Sequence, residues 1–308
     1  MRPFLLLLAL LLSACAAVEA PRRGNLQLVD LTGEFATFQE RSVGMEPAAR
    51  VEAFKTHFAT RLPGFYSTER ARNPHYNDFI RRALENWPAD RSGVEQVSRG
   101  FSAMLAPAQA SFEREFGPLN GYPPIFLVHS LGEFDGGTRS LPGGSRLMFG
   151  ADMIARIHSG HNAQPFFHHE LFHLYHERRF GECSQLWCDL WGEGLATYVS
   201  HRLNPGASDA ELLLTRPVPL REAVERDRRT AVCAVAARLD STSREDSQAL
   251  FSNGSIQNMP GRFGYYVGYL VAAEAGRTRS LQQLASLPRD EARPVVEAAL
   301  RSLAQCPA

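Results

Sequence analysis

The first third of the chain places its large apolar residues at helical spacing. Within residues 46–62 these positions are Val51, Phe54, Phe58 and Leu62. Apolar residues that recur every three or four positions form one face of an amphipathic helix. The same pattern predicts helices over 73–87 and 94–116, and Pro107 should break or kink the second because proline removes an amide donor. We expect residues 28–120 to form an N-terminal helical region.

The pattern changes beyond residue 121. Short apolar runs at 124–129 and 146–150 flank a glycine-rich segment, which predicts strands joined by turns. Helical spacing then returns, with candidate helices at 219–239, 262–275, 280–287 and 292–303. We expect an α+β, mostly helical fold, in which flanking helical lobes surround a small antiparallel sheet packed before a central buried helix. The region 121–205 would form the core around that helix, and 206–308 a C-terminal helical region.

The central helix carries an H-E-x-x-H motif from His169 to His173. Residues four apart lie on one face of a helix, so both histidines can direct a ring nitrogen at one metal ion. Glu170 lies beside this pair, where it can act as a general base. Pro165 suits the first turn of the helix and Gly181 its end. The alternative is a core helix whose histidines form local hydrogen bonds.

Catalytic zinc sites usually have three protein ligands, so a third donor should follow the motif. A metzincin-type continuation is excluded, because His176 and Arg179 occupy its glycine and last histidine positions. Our candidate is Glu193, on a second helix predicted over about 189–203. Gly194 would let the two helices approach closely. The rival donors are Glu177, Glu182, Asp189 and His201.

This combination resembles a known group of enzymes. H-E-x-x-H followed by E-G-x-A at 193–196 resembles the gluzincins, the thermolysin-like clan of zinc peptidases. Within that clan it is most similar to an uncharacterised family of predicted zinc-dependent proteases. The likeness is strongest over 168–198 and extends over about 122–284, because the tyrosine-rich segment 264–269 also resembles a family segment.

The resemblance implies a site as well as a fold. One zinc ion would be held by His169, His173 and Glu193, with Glu170 as general base. Thr197 departs from the pattern, because thermolysin has an aspartate four residues after the ligand glutamate that orients a ligand histidine. A threonine can still form a hydrogen bond, but it has no carboxylate to orient a histidine.

A second hydrogen-bond donor usually stabilises the developing oxyanion. We choose Tyr266 for this role, since the tyrosine segment has a counterpart in the family. The other candidates are Tyr198, His201, Tyr265 and Tyr269. The edge strand of the sheet would bind the substrate backbone by β-augmentation. The segment 132–144 is then either a mobile rim of the site or a plain hairpin loop.

The charge composition bears on the kind of partner that the protein binds, and the N-terminal segment bears on its location in the cell. The chain has 33 basic and 33 acidic residues, so its charge does not indicate a nucleic-acid partner. The apolar run before Leu12-Ser-Ala-Cys15 matches a bacterial lipobox, which predicts a signal peptide (1–14), lipid on Cys15 and a tether (15–27). The alternative is a secretory signal cut near Ala17 or Ala20. Ala16 after the lipidated cysteine favours the outer membrane, facing the periplasm.

Four further cysteines support export: Cys183, Cys188, Cys233 and Cys306. In an oxidising compartment they predict up to two disulfides, with three pairings open. A bond between the first two would fix how Glu193 meets the histidines, and the last two would tie the tail to the body. The alternative is a thiolate metal site, although the spacing is poor for zinc.

The sequence thus predicts a zinc metallopeptidase, tethered to the cell envelope, that hydrolyses peptides or proteins through a zinc-activated water with Glu170 as base. Two alternatives stay open. One is a non-enzymatic envelope binding or scaffold lipoprotein with a relic zinc site. The other is a zinc hydrolase of a non-peptide amide.

Overall fold

The computed structural model describes residues 26–66 and 75–306. The predicted signal peptide, Cys15 and nearly all of the tether therefore lie outside the described residues. Twelve helices and four strands form within the described part, and 59% of it is helical. The predicted α+β, mostly helical class is confirmed.

The N-terminal helices are α1 (Thr32–Arg41), α2 (Pro47–Phe58) and α3 (Tyr76–Phe116). The sequence predicted two helices where α3 is one helix of 41 residues that contains Pro88 and Pro107. A proline leaves the carbonyl four residues earlier without its helical donor. For Pro88 this is the carbonyl of Leu84, which accepts a hydrogen bond from Gln39 Nε2 at 3.3 Å. A contact with α1 therefore replaces the bond that the proline removes.

The strands are β1 (Leu28–Asp30), β2 (Ile125–Val128), β3 (Gly136–Leu141) and β4 (Gly144–Gly150). They form one sheet in the order β1-β2-β4-β3. The pairs β1–β2 and β2–β4 are parallel, and only the hairpin β3–β4 is antiparallel. The sheet is thus mixed rather than antiparallel as expected, because α1 to α3 return the chain to the same end of the sheet before β2. The hairpin leaves β3 at one edge.

Two long helices follow the sheet and carry the candidate site. They are α5 (Gln164–Phe180) and α6 (Leu186–Leu203), and the shorter α4 (Ala151–Ile157) precedes them. Both long helices are buried along most of their length. No helix in residues 26–66 and 75–306 combines the length and apolar character needed to cross a bilayer.

The C-terminal helices are α7 (Leu220–Arg226), α8 (Arg228–Ala236), α9 (Arg244–Phe251), α10 (Phe263–Ala275), α11 (Leu281–Ala285) and α12 (Arg289–Leu303). One helix was predicted over 219–239, but Asp227 divides it into α7 and α8. Asp227 has φ −145° and its carboxylate accepts a hydrogen bond from Thr230 N at 3.2 Å, so it caps α8. Helix α9 was not predicted, since its segment is polar and poorly patterned.

Candidate metal centre

Helix α5 presents the H-E-x-x-H residues from a buried position. Pro165 lies in its first turn, and the helix ends at Gly181, whose φ of 77° suits glycine. His169 is 9% exposed and Glu170 is 6% exposed. Polar groups so deeply buried are costly unless they have partners. Their partners therefore define the site.

The three predicted ligands come together. His173 Nε2 lies 3.0 Å from His169 Nε2, and Glu193 Oε2 lies 3.2 Å from His169 Nε2 and 3.3 Å from His173 Nε2. Tetrahedral zinc with bonds of about 2.0–2.1 Å would set neighbouring donor atoms about 3.3 Å apart. The spacing therefore fits one small cation. Within the described residues, this is the one group of three or more His, Cys, Asp or Glu residues that could hold a metal ion.

The charges of this group are strongly coupled. Burial opposes ionisation of Glu193, but the positive charge of His173 and hydrogen bonds from both histidines hold the pKa of the carboxyl far below its usual range. Burial would likewise lower the pKa of His173, but the charge of Glu193 raises it to about 9. Burial lowers the pKa of His169. Without metal, a proton on His173 thus balances Glu193, and a cation must displace that proton.

Glu170 is adjacent to the ligands but is not one of them. Burial raises the pKa of its carboxyl to about 8, although the positive charge of His173 opposes this shift. Its Oε2 atom is buried and has no hydrogen-bond partner in the described part of the chain. A buried, unsatisfied carboxyl group with a raised pKa is typical of functional sites. Its role as general base stays a prediction.

Gly194 permits a close approach between two helices, but these are α6 and α10 rather than the expected α5 and α6. A Cβ at Gly194 would lie 2.2 Å from the carbonyl carbon of Gly268 in α10. In turn, a Cβ at Gly268 would lie 2.6 Å from the carbonyl oxygen of Leu190 in α6. The close crossing is therefore between α6 and α10 rather than between α5 and α6. It fixes the turn of α6 that carries Glu193.

Tyr265, not the predicted Tyr266, lies beside the metal-binding group. The Tyr265 ring stacks on that of His169 with centroids 6.4 Å apart, and burial raises the pKa of its hydroxyl, which therefore stays protonated. The Tyr266 hydroxyl instead donates to Glu225 at 2.8 Å and lies 3.2 Å from Arg221 Nη1. Successive helical residues point about 100° apart, so α10 cannot direct both rings at one site. The choice of Tyr266 is corrected to Tyr265 for this reason.

The remaining candidate donors also lie elsewhere. Tyr269 and His201 bond to each other, with 2.8 Å between the hydroxyl and Nδ1. Tyr198 Oη accepts a hydrogen bond from Arg202 at 3.1 Å. Thr197 donates to the backbone carbonyl of Glu193 at 2.8 Å, within its own helix. Thr197 thus does not take over the orienting role of the thermolysin aspartate.

Two residues near the site, Asp135 and Arg262, belong to no sequence motif that would have predicted their position. Asp135 precedes β3, and its Oδ2 lies 2.9 Å from His158 Nε2. The negative charge of Asp135 contributes to the raised pKa of Glu170. An isolated aspartate in a glycine-rich segment could not have been assigned to the site before the path of the chain was known.

Arg262 is the second such group. It precedes α10 with a positive φ of 69°, and its guanidinium lies 4.6 Å from the Tyr265 ring centroid. Its Nε atom is buried without an acceptor among residues 26–66 and 75–306. Buried donors are usually paired, so Arg262 adds one unsatisfied donor atom beside Tyr265.

A cleft of about 720 Å³ opens next to the metal-binding group. The β3–β4 hairpin, α5 and α6 bound it, and its lining includes His173 and Glu193. The rival donors Glu177, Glu182 and Asp189 line this cleft too. They lie outside the group of three whose donor atoms converge.

Two disulfides form, as predicted. Cys183 pairs with Cys188 and Cys233 with Cys306, with Cα atoms 6.2 Å and 5.3 Å apart. The first closes the loop between α5 and α6, the two helices that carry the metal-binding residues. Sulfurs bonded to one another are not thiolates, so the alternative of a thiolate metal site does not apply to this arrangement.

No family model, curated protein or solved structure matches this chain. The resemblance to gluzincins therefore stays a prediction.

Proposed function

We propose that this protein is a zinc-dependent peptidase of the gluzincin type. The observation that carries the proposal is the convergence of His169, His173 and Glu193, whose donor atoms lie 3.0–3.3 Å apart. A structural zinc site is usually closed by four protein ligands, whereas three leave a position for chemistry. Two imidazoles and one carboxylate are a donor set suited to zinc.

When bound, zinc acts as a Lewis acid that polarises the scissile carbonyl and makes water more acidic. The ionised form of Glu170, favoured by a neighbouring cation, would accept a proton from water at its unsatisfied Oε2. It would then pass the proton to the departing amine. A binding or scaffold protein would have no use for a buried carboxyl group in this position, which favours the enzyme.

Tyr265 is our candidate for stabilising the oxyanion. Its hydroxyl stays protonated because burial raises its pKa. Its ring stacks on that of His169, and the charges of Glu193 and Glu170 contribute to the raised pKa of its hydroxyl, which supports its assignment to this site. A protonated hydroxyl in a dry site is a stronger donor than in water.

A peptide is the substrate favoured by the position of the sheet. Strand β3 lies at the sheet edge, pairs with β4 on its inner side, and borders the cleft through Thr138. An edge strand offers backbone donors and acceptors to an extended chain. Two disulfides favour an oxidising compartment such as the periplasm, where we place the protein on the membrane through lipid on Cys15.

The test combines metal content with turnover. We expect about one zinc per chain in the parent protein and sharply weakened binding in His173→Ala and Glu193→Gln. Glu170→Gln should retain zinc but lose cleavage in a panel of denatured proteins, short peptides and cell-wall fragments. Absence of zinc from a well-folded parent would favour the binding protein. Cleavage of cell-wall amides alone would favour the non-peptide amide hydrolase.

A further inference from the structure

The cleft beside the metal-binding group carries two carboxyl groups for which the proposed mechanism has no use. Glu177 lies on the last turns of α5 and Asp189 on the first turn of α6, and both line the cleft. Partial burial raises the pKa of both carboxyl groups, to about 6 for Asp189. Asp189 therefore stays mainly ionised at neutral pH.

Among the described residues, neither carboxyl group forms an ion pair with a lysine or an arginine, and the positive charge that acts on Glu177 is that of His173. In the described part of the chain, no lysine or arginine nitrogen lies within 4.0 Å of either one. The two arginines of the cleft bind backbone carbonyls instead. Arg146 donates to the carbonyls of Ser145 and Gly143, and Arg178 to that of Gly121. Within the described residues, both guanidinium groups line the same cleft, but neither forms an ion pair with Glu177 or Asp189.

His176 also lines the cleft, and one of its ring nitrogens is buried without a partner among the described residues. Its side chain lines the cleft, is only 4% exposed, and stacks between Phe172 and Phe180. Its Nε2 has no hydrogen-bond partner within residues 26–66 and 75–306. Burial lowers the pKa of the ring to about 3, so it is neutral and adds no positive charge. A neutral imidazole nitrogen can accept a hydrogen bond from a ligand.

We propose that this cleft binds the cationic side chain of an arginine or lysine next to the scissile bond of a peptide substrate. The inference rests on the proposed function, since it assigns the cleft to the same peptide. Unpaired carboxylates in a concave site favour a cation and disfavour neutral or acidic side chains. The volume of about 720 Å³ lies within the range of small-ligand pockets, so it accommodates a long side chain.

The test compares two peptides that differ only in charge. One carries arginine and the other citrulline, which has nearly the same shape but is neutral. Their binding to the Glu170→Gln protein is measured by fluorescence anisotropy, with and without zinc, so that no turnover is needed. We expect the arginine peptide to bind about tenfold more tightly, a difference of about 1.4 kcal/mol, because only its side chain carries a charge that the carboxylates attract.

Variants locate the effect. Adding Glu177→Gln and Asp189→Asn together should bring the ratio of the two affinities close to one, and each alone should reduce it. Glu222→Gln, on an exposed part of α7 outside the cleft, should leave the ratio unchanged. Circular dichroism and the melting temperature report whether each variant folds.

The outcomes separate this inference from the proposed function. Equal affinities in the Glu170→Gln protein, or a preference that survives the paired Glu177 and Asp189 substitutions, would overturn the cationic pocket. Cleavage of both peptides at equal rates by the parent would keep the peptidase and reject the pocket. Charge-selective binding without cleavage of any peptide would keep the pocket and reject the peptidase.

Discussion

Gly136 lies directly against the carboxyl group of Glu170. A Cβ at position 136 would lie 2.6 Å from Glu170 Cδ and 2.9 Å from its Oε1. The first residue of the edge strand thus lacks a side chain where the candidate base needs room. The sheet therefore contributes to the site through an absent side chain as well as through its exposed edge.

Gly136→Ala should displace Glu170 and lower turnover about 100-fold, since a shift of about 1 Å in a reacting group can cost this much. Zinc binding should be unchanged, because the three atoms nearest to the added methyl group all belong to Glu170 and none to a predicted ligand. The φ of Gly136 is not positive, so an alanine there causes no backbone strain. The measurements are kcat and zinc content. Gly100→Ala, where an added Cβ has no neighbour within 4 Å, is the matched control, and equal turnover in both variants would contradict the argument.

Glu170→Gln should stabilise the metal-free chain increasingly as pH rises. Burial raises the pKa of Glu170 from 4.5 to about 8 on folding. Such a group contributes stability that is fully present below pH 4.5 and is lost as pH rises through 8. Glutamine does not titrate, so the variant keeps the stability that the parent loses as the pH rises. The difference in unfolding free energy should grow by about 2–4 kcal/mol between pH 5 and 8.

Urea unfolding of the EDTA-treated proteins at pH 5, 6.5 and 8 measures this difference. His173 titrates in both proteins, but the charge of Glu170 is one of the causes that raise its pKa, so only the part of its titration that does not depend on Glu170 cancels. Glu222→Gln, an exposed substitution on α7, controls for the loss of a charge. A difference between variant and parent that did not depend on pH would show that the Glu170 pKa is not raised on folding.

Gly194→Ala should force α6 and α10 apart. The added Cβ would overlap the backbone of Gly268 at 2.2 Å, and backbone cannot move aside as a flexible side chain can. We expect a loss of about 2–3 kcal/mol in unfolding free energy and weaker zinc binding, because Glu193 precedes this crossing. Gly192→Ala, on the same helix with no atom within 4 Å of its added Cβ, should be neutral or slightly stabilising. Thermal melts and zinc titrations of Gly194→Ala and Gly192→Ala measure these effects. Similar losses of stability and zinc affinity in both variants would point to helix flexibility rather than to the crossing of α6 and α10.

Local spacing was enough to predict the histidine pair, whereas the choice of Glu193 over its rivals rested on the ligand sets usual for catalytic zinc and on the gluzincin resemblance. His169 and His173 are one turn apart, so any helix places them together, and Glu193 follows on the next helix. Tyr265 could not be distinguished from Tyr266 in the same way. Which of the two faces the site depends on the rotation of α10 against α6, and the contact between Gly194 and Gly268 sets that rotation.

Long-range pairing limited the prediction of the fold. The parallel pairing of β1 with β2 joins Leu28 to Ile125 across three intervening helices, and no local pattern encodes it. The continuity of α3 was missed for a similar reason. Its Pro88 is tolerated because Gln39, distant in sequence, bonds to the carbonyl of Leu84. The predicted lipid anchor at Cys15 lies outside the described residues.

The two disulfides should have different effects when they are removed. The Cys233–Cys306 bond closes a loop of 73 residues, so the chain-entropy model assigns it about 4 kcal/mol of stability. The Cys183–Cys188 bond closes a loop of 5 residues, which gives about 2 kcal/mol. However, the shorter loop connects α5 to α6, and so connects the two histidines to Glu193.

We therefore expect the double variant Cys233→Ser/Cys306→Ser to have the lower melting temperature of the two. The double variant Cys183→Ser/Cys188→Ser should have the weaker zinc binding of the two. Calorimetry and zinc titration of the two double variants provide both quantities on the same samples. Loss of zinc affinity in the first pair at temperatures well below its melting point would contradict this division. It would mean that the tail of the chain, rather than the loop between α5 and α6, holds the metal-binding group in place.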